Sequence, residues 1–196
     1  LAGRWEADAM LSGSNTILAA LAQDGPSGGA AEAPQEPQAE PEDDTRQWLV
    51  VVDSRGRVND LHRLRQWPYW RGVIALCSAG TPGSHLEYLQ QQQIPYIVAG
   101  DERVDLRAAL EELNARYGVR VVRVDSGGTL NGALLRAGLV DEVSVLISPS
   151  LVGGTAPRSI FVAPDLAPSE GAIPLRLLHV ERLQGDTVWL RYEVAR

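Results

Sequence analysis

The chain has 196 residues, 44% of them hydrophobic, which is enough for one substantial core, and it carries a net charge of −7 with a pI near 5.0. That acidity argues against a nucleic-acid or membrane-surface protein, and the longest apolar runs, Trp48–Val52 and Val73–Cys77, are too short to span a bilayer. All 18 basic residues are arginines, which excludes lysine Schiff-base chemistry and the P-loop lysine, so a charged contact to an anion must come from Arg.

No signal-peptide pattern is present, and the single Cys77 cannot form an internal disulfide. The expectation is a soluble cytoplasmic protein of one domain, residues 1–196. Leu1 is not a start Met, so further sequence is expected upstream.

Asp8–Ser12 predicts a strand that leads through Gly13-Ser14-Asn15-Thr16 into a helix to about Ala22. Asp24–Arg46 is rich in Pro, Gly, Ala, Glu and Gln without periodicity, and an exposed mobile loop is expected there. Gln47–Val52 is a buried strand ending in Asp53-Ser54-Arg55-Gly56-Arg57, and Val73–Cys77 is another. Ser84-His85-Leu86-Glu87 has the form of a capping box opening a helix to about Gln93. Tyr96–Ala99 predicts a strand, and Leu106, Leu110, Leu113 and Tyr117 form one helical face that Gly118 ends. Val119–Val124 and Val143–Ile147 are strands flanking a helix over Leu130–Ala137, which Gly138 terminates. Leu175–Leu183 and Thr187–Val194 predict an antiparallel hairpin around Gln184-Gly185-Asp186.

Strands alternating with helices predict an α/β fold: a mainly parallel mixed sheet with helices on both faces and an antiparallel C-terminal hairpin. Ligands of such sheets bind outside the carboxyl ends of the strands. The loops Gly13–Thr16, Asp53–Arg57, Ser78–Pro82 and Asp125–Thr129 all follow strands, and are expected to meet on one rim.

The most informative of these is Asp125-Ser126-Gly127-Gly128, where a strand runs straight into a helix. A glycine pair there frees backbone N–H groups to face a phosphate at the positive helix end. The plainer alternative is a tight turn that only glycine makes.

The run VDSGGTLNGALLRAGLVDEVSVLISPSLVGG resembles the C-terminal reductase domain of the bifunctional riboflavin-biosynthesis deaminase/reductase. It is also similar to the stand-alone archaeal and fungal diaminohydroxyphosphoribosylaminopyrimidine reductases. ADAMLSGSNTI, VVVDSRGRV and Leu139–Gly154 follow in the family's order. The resemblance implies a dihydrofolate reductase-like fold, NADPH as cofactor, a small-molecule substrate and a homodimer formed through sheet-edge and C-terminal elements. It further implies that Gly127, Gly128, Thr129 and Leu130 line the NADPH pyrophosphate, and that Thr16 contacts the dinucleotide on a turn shaped by Gly13. Ser54 and Arg55 would stand near the adenosine phosphate, and Asp125 would face the substrate where the family usually has Glu.

Four departures stand out. Asp125-Ser126-Gly127 replaces Glu-Gly-Gly, and Ala19-Ala20 stands where the family often has an acidic pair. The family's first strand, with its Ser-Leu-Asp-Gly type motif, is absent, as is the deaminase zinc signature H-x-E…P-C-x-x-C. The implied reaction moves a hydride from the nicotinamide to C1′ of the ribosylamino sugar of a phosphorylated aminopyrimidine. Two alternatives remain open: an NADPH reductase of another pterin-like or carbonyl compound, and a non-catalytic nucleotide-binding homologue.

Single residues have competing explanations. Asp125 is either a general acid or hydroxyl acceptor, or a cap for the following helix. Arg55 either pairs with a ribose 2′-phosphate or is merely solvated, and Thr16 either meets the dinucleotide or caps its own helix. His62, His85 and His179 lack metal-ligand spacing and are expected at surface or edge positions, with no metal implied. Cys77 is expected as a buried small hydrophobe and Asp141-Glu142 as a solvated turn. The cluster Trp67-Pro68-Tyr69-Trp70 either covers the core or makes a subunit contact, with the contact slightly favoured.

Overall fold

Five apolar runs pair side by side as parallel strands: β1 (Ala9–Gly13), β2 (Gln47–Val52), β3 (Trp70–Cys77), β4 (Tyr96–Val98) and β5 (Val122–Val124). Their order across the sheet is β4-β3-β2-β1-β5. The structure is a computed structural model describing residues 6–23, 44–154, 159–165 and 172–195; most of the expected mobile loop, 24–43, lies outside the described residues. The chain divides into two compact units, Leu1–Gly127 and Gly128–Arg196, and the parallel sheet belongs to the first.

β2 and β3 form the centre of that sheet, and their Val, Ile and Leu side chains are buried on both faces. A buried strand of this kind shows a continuous apolar run rather than alternation. One face carries Leu49, Val51, Val73, Ala75 and Cys77. It packs against Ile17 and Leu21 of α1 (Ser14–Gln23), Leu61 and Leu64 of α2 (Leu61–Arg65), and Leu89 of α3 (Gly83–Gln91). Each fully buried Leu or Ile stabilises by about 1.5–3 kcal/mol. Trp48 looks to the other face and meets Tyr117 of α4 (Leu106–Tyr117) edge-on at 5.5 Å. Helices on both sides of a parallel sheet therefore follow from two apolar strand faces. Asp105 caps α4 by accepting from the N–H groups of Arg107 and Ala108, and Gly118 ends it at φ 66°, as its placement after the periodic face predicts.

Local differences from the sequence reading have local causes. The capping box is not formed: α3 starts at Gly83, behind Pro82 as N-cap with no side-chain cap, so Ser84 is already helical. The strand expected over 119–124 shortens to β5 because the Asp8 carboxylate accepts the N–H groups of Arg120 and Val121, at 2.7 and 2.8 Å. The short α2 falls in a stretch too brief for helical periodicity to show.

In the second unit α5 (Gly128–Arg136) precedes an antiparallel sheet of β6 (Glu142–Ile147), β8 (Val188–Val194) and β7 (Leu175–Arg182), in that order. The expected hairpin is β7–β8, turning through a 3-10 turn at Gln184–Asp186. β6 joins this sheet rather than the parallel one. One face carries Trp189, whose indole N–H donates to Ser144 Oγ at 2.8 Å, together with the charged pairs Arg191–Glu142 and Arg176–Glu193. The other face is apolar apart from Arg182 at its end: Val143, Val145, Ile147, Leu175, Leu177, Val180, Val188, Leu190, Tyr192 and Val194. Glu142 is thus paired with Arg191 rather than simply solvated.

His85 departs from the surface position expected of it. It is 3% exposed, with Nε2 3.9 Å from an oxygen of the equally buried Asp53. Burial pushes its pKa below the ordinary 6.5, against the opposing pull of the Asp53 carboxylate. Burial, with the Asp53 charge second, also pushes the Cys77 thiol up to about 11, which keeps it a protonated apolar group. For His85 the unfolded chain takes up a proton at a higher pH than the native chain does. Its contribution to stability is therefore complete above about pH 6.5 and declines as the pH falls below that value. Urea unfolding at a series of pH values should show this loss, and His85→Gln should flatten it; an unchanged slope in the variant would remove His85 as its source.

Candidate functional site

β1 and β5 are neighbours in parallel register, with Leu11 opposite Val124, so the turns that follow them leave the sheet side by side. There a small hydroxyl cluster joins them. The Gly13 N–H donates to Ser126 Oγ at 3.0 Å and the Gly127 N–H donates to Thr16 Oγ1 at 3.2 Å. The two hydroxyls stand 3.3 Å apart, and the Ser12 hydroxyl donates to the Asp125 carbonyl at 3.5 Å. α1 begins at Ser14, so the unpaired N–H groups of its first turn lie at the same end of the sheet.

The loop after β2 approaches from the other side. Asp53, 1% exposed, accepts the N–H groups of Arg57 and Val58 at 2.7 and 2.8 Å and so folds the loop back on itself. That fold sends the Arg57 guanidinium to Ser14 Oγ (2.6 Å) and Asn15 Oδ1 (2.8 Å), at the start of α1. Ser54 is half-buried, and its hydroxyl accepts from the Val104 N–H at 3.0 Å while its carbonyl accepts from the Thr81 hydroxyl. All four predicted loops are thereby tied together along one rim: 13–16 with 125–127, 13–16 with 53–57, and 53–57 with 78–82.

Below the hydroxyl cluster lies a cavity of about 210 Å³. Its apolar lining comes from Met10, Ile17, Leu49 and Leu64, its aromatic lining from Trp67 and Trp70, and its polar lining from Ser12, Thr16 and Asp125. Ala20, one of the pair standing where the family has acidic residues, also lines it. The Asp125 carboxylate accepts no hydrogen bond among the described residues, whereas both Trp67 and Trp70 pack against the core. Trp67 and Trp70 accordingly follow the core-covering reading, and only Tyr69 of that cluster is a strongly exposed aromatic, at 69%.

The sequence-predicted positions fare unequally. Gly13, Thr16, Asp125 and Gly127 come together. Arg55 is exposed and makes no hydrogen bond among the described residues. Gly128, Thr129 and Leu130 form the first turn of α5, in the second unit, where Thr129 is exposed and Leu130 half-buried. Gly128 has a packing reason of its own: a Cβ there would lie 2.3 Å from the Ser159 carbonyl oxygen and 2.8 Å from Val162 Cγ2. The Gly128 carbonyl also accepts the Val162 N–H at 2.8 Å. Half of the glycine pair is thus required by its own fold before any ligand is considered.

Sequence reasoning missed Ser126, Arg57, Trp67 and Trp70 as site residues. Arg57 was detectable from the spacing Asp53-x-x-x-Arg57, since a loop carboxylate accepting the N–H of a residue four positions on fixes that side chain's direction. Nothing local marks the tryptophans, because their place depends on packing across the sheet. No group of three metal-ligating side chains occurs among the described residues, and no described helix is long and apolar enough to cross a membrane.

Comparison with known proteins identifies the family. A 2,5-diamino-6-ribosylamino-4(3H)-pyrimidinone 5′-phosphate reductase of Methanothermobacter thermautotrophicus is 32% identical over 185 residues, 94% of this chain and 79% of that protein. The riboflavin biosynthesis protein RibD of Escherichia coli is 33% identical over 129 residues, 64% of this chain but 33% of its own length. Among solved structures, a pyrimidine reductase-like protein from Corynebacterium diphtheriae superposes with a TM-score of 0.70 at 17% identity, covering 97% of this chain and 77% of that one. Acinetobacter baumannii RibD superposes at 0.65 and 20% identity, over 96% of this chain and 47% of its own. The model of the RibD C-terminal domain matches residues 2–189, and the chain belongs to that family.

Proposed function

We propose that this chain is an NADPH-dependent reductase acting on a phosphorylated ribosylaminopyrimidine in riboflavin biosynthesis, as a single cytoplasmic domain over residues 1–196. The observation that carries the reading is the hydroxyl cluster at the ends of β1 and β5, set directly over a ring-sized cavity. The family match running through both units supports treating them as one reductase domain.

The residues present fit a dinucleotide. Gly127, Gly128, Thr129 and Leu130 are proposed to line the pyrophosphate, with the N–H groups of the first α5 turn facing it, and Thr16, on the turn made by Gly13, to contact the dinucleotide. Ser54 and Arg55 are placed by this reading near the adenosine phosphate, with Arg57 bracing the loop that carries them. The bound cofactor supplies the hydride. The chain's own part is to orient the acceptor carbon and to keep water from it, through the apolar lining of Ile17, Leu49 and Leu64. Asp125 is proposed to supply or hold a proton at the substrate, directly or through one water.

A second reading, reduction of another pterin-like or carbonyl compound, draws support from Ala20: the cavity has no carboxylate on α1 to receive the donors of a polar pyrimidine. A homodimer is proposed through the apolar face of β6, β8 and β7, where Ile147, Leu175, Leu177 and Val180 are 46–59% exposed. Unpartnered apolar surface of this extent is characteristic of an interface.

Titration with NADPH and NADH should give micromolar binding for NADPH and at least tenfold weaker binding for NADH. Arg55→Ala should abolish that preference, while Arg57→Ala should weaken both nucleotides by roughly 10-fold, about 1.4 kcal/mol. No binding of either nucleotide would refute the proposal. With the ribosylaminopyrimidine phosphate as substrate, Asp125→Ala should lower kcat by on the order of 10²–10⁴ and leave NADPH affinity within about twofold; unchanged turnover would remove Asp125 from the chemistry. Light scattering should report twice the 21.2 kDa chain mass, and Leu177→Asp with Val180→Asp should return it to a single chain mass. A monomeric wild type would refute the dimer.

A further inference from the structure

One cation on the parallel sheet has no part in the site described so far. Arg123 of β5 pairs with Met10 of β1, and strand alternation turns it to the same face as Asp125, two residues on. Met10, Ser12 and Asp125 all line the cavity, so Arg123 stands at its β5 margin. Its Nη2 donates to Met10 Sδ at 3.2 Å, and a thioether is a weak acceptor. Nε is buried without a partner. Nη1 also lacks a partner among the described residues, but it is not closed off from solvent. No described carboxylate pairs with this guanidinium, Asp125 included. A part-buried guanidinium with one thioether for an acceptor is incompletely satisfied, and an anion would complete it.

The cavity has the opposite deficiency. Its polar lining is Ser12, Thr16 and Asp125, with no cationic side chain. A phosphate monoester carries about −1.5 to −2 charges at pH 7, and nothing in that lining offsets them. The parallel strands carry two arginines, and the other, Arg71, lies over Trp48 on the opposite face. Arg57 is already held by Ser14 and Asn15 at the start of α1. The planar fork of Arg123 suits a phosphate, whose oxygens can take two parallel N–H donors. Two residues along a strand rise by about 6.6 Å, so Asp125 and Arg123 are set apart by roughly the length of a sugar.

We propose that Arg123 is a specificity-determining residue: its guanidinium receives the phosphate of a sugar-phosphate substrate at the β5 margin of the cavity, while Asp125 stands at the reacting carbon. The proposal rests on the reductase reading above. It makes the phosphorylated form of the substrate the preferred one. The thioether of Met10 holds the guanidinium in place without competing for it, because it carries no charge. The separation along the strand keeps the phosphate away from the Asp125 carboxylate.

The test is isothermal titration calorimetry of the NADP⁺-saturated chain with the ribosylaminopyrimidine phosphate and with its dephosphorylated form. Saturation with the oxidised nucleotide prevents turnover. Wild type should bind the phosphorylated form at least about tenfold more tightly. Arg123→Met keeps the unbranched stem and removes the charge. It should lose roughly 10- to 100-fold on the phosphorylated form and bring the two ligands within about threefold of each other. Arg123→Lys, a point charge without the fork, should fall between the two. NADPH affinity should stay within about twofold in both variants, which shows them folded and separates the substrate phosphate from those of the nucleotide. An equal loss on both forms of the substrate, an unchanged preference in Arg123→Met, or a matching loss on NADPH would overturn the assignment. So would a wild type that binds nucleotide but is indifferent to the substrate phosphate, with the nucleotide reading left standing. A wild type that binds no nucleotide would overturn the reductase reading and the Arg123 assignment with it.

Discussion

The parallel pairing of β1 with β5 is the constraint on which the rest of the site depends. It brings two chain segments over a hundred residues apart to one place and sets their turns in the same direction. The hydroxyls of Thr16 and Ser126 then sit 3.3 Å apart, each accepting a backbone N–H from the opposite turn. A hydroxyl both donates and accepts, and its hydrogen rotates freely. Such a pair can satisfy the turn amides while one hydroxyl donates to the other, without setting a negative charge where an oxyanion would bind. A carboxylate in either position could accept but not donate, and would repel the anion.

The strands beneath this rim make it rigid. β2 and β3 are buried on both faces, so the ends from which the loops leave are fixed by packing on two sides. Asp53 extends that rigidity outward. Its buried carboxylate accepts two loop amides, a geometry that holds only while the loop stays folded over it. Arg57 carries the constraint to the start of α1. A site assembled from three loops therefore behaves as an extension of the sheet, which is what positional catalysis requires.

The sequence was most informative where a signal is local. Gln47–Val52, the hairpin turn at 184–186 and the Gly118 helix end are set by apolar runs and turn chemistry, and they stand as expected. The four rim loops were found because each follows a strand. Features set by distant partners were not visible. The strand over 119–124 is cut short by Asp8, more than a hundred residues away. The capping box at Ser84 had the right residues, but α3 begins one position earlier, behind Pro82. His85 lacked any sequence sign that it would be buried beside Asp53. Arg55 and Arg57 lie two positions apart in one loop, and only the fold of that loop separates the exposed guanidinium from the one bound to α1. The family resemblance supplied roles for Gly127 and Gly128 but not the packing of Gly128 against 159–162.

The cavity and the rim above it pose two different recognition problems. Buried polar groups discriminate strongly, since a ligand that leaves them unpaired loses the full cost of their desolvation; apolar contacts discriminate weakly. Ala20 gives the cavity a methyl group on α1, and Trp67 and Trp70 give it an aromatic wall. The lining is thus mostly apolar, with polar side chains confined to Ser12, Thr16 and Asp125. Thr16 belongs to both, since its hydroxyl lines the cavity and accepts the Gly127 N–H at the ends of β1 and β5. The anion recognition proposed there would rest on backbone direction and hydroxyls rather than on the apolar lining beneath.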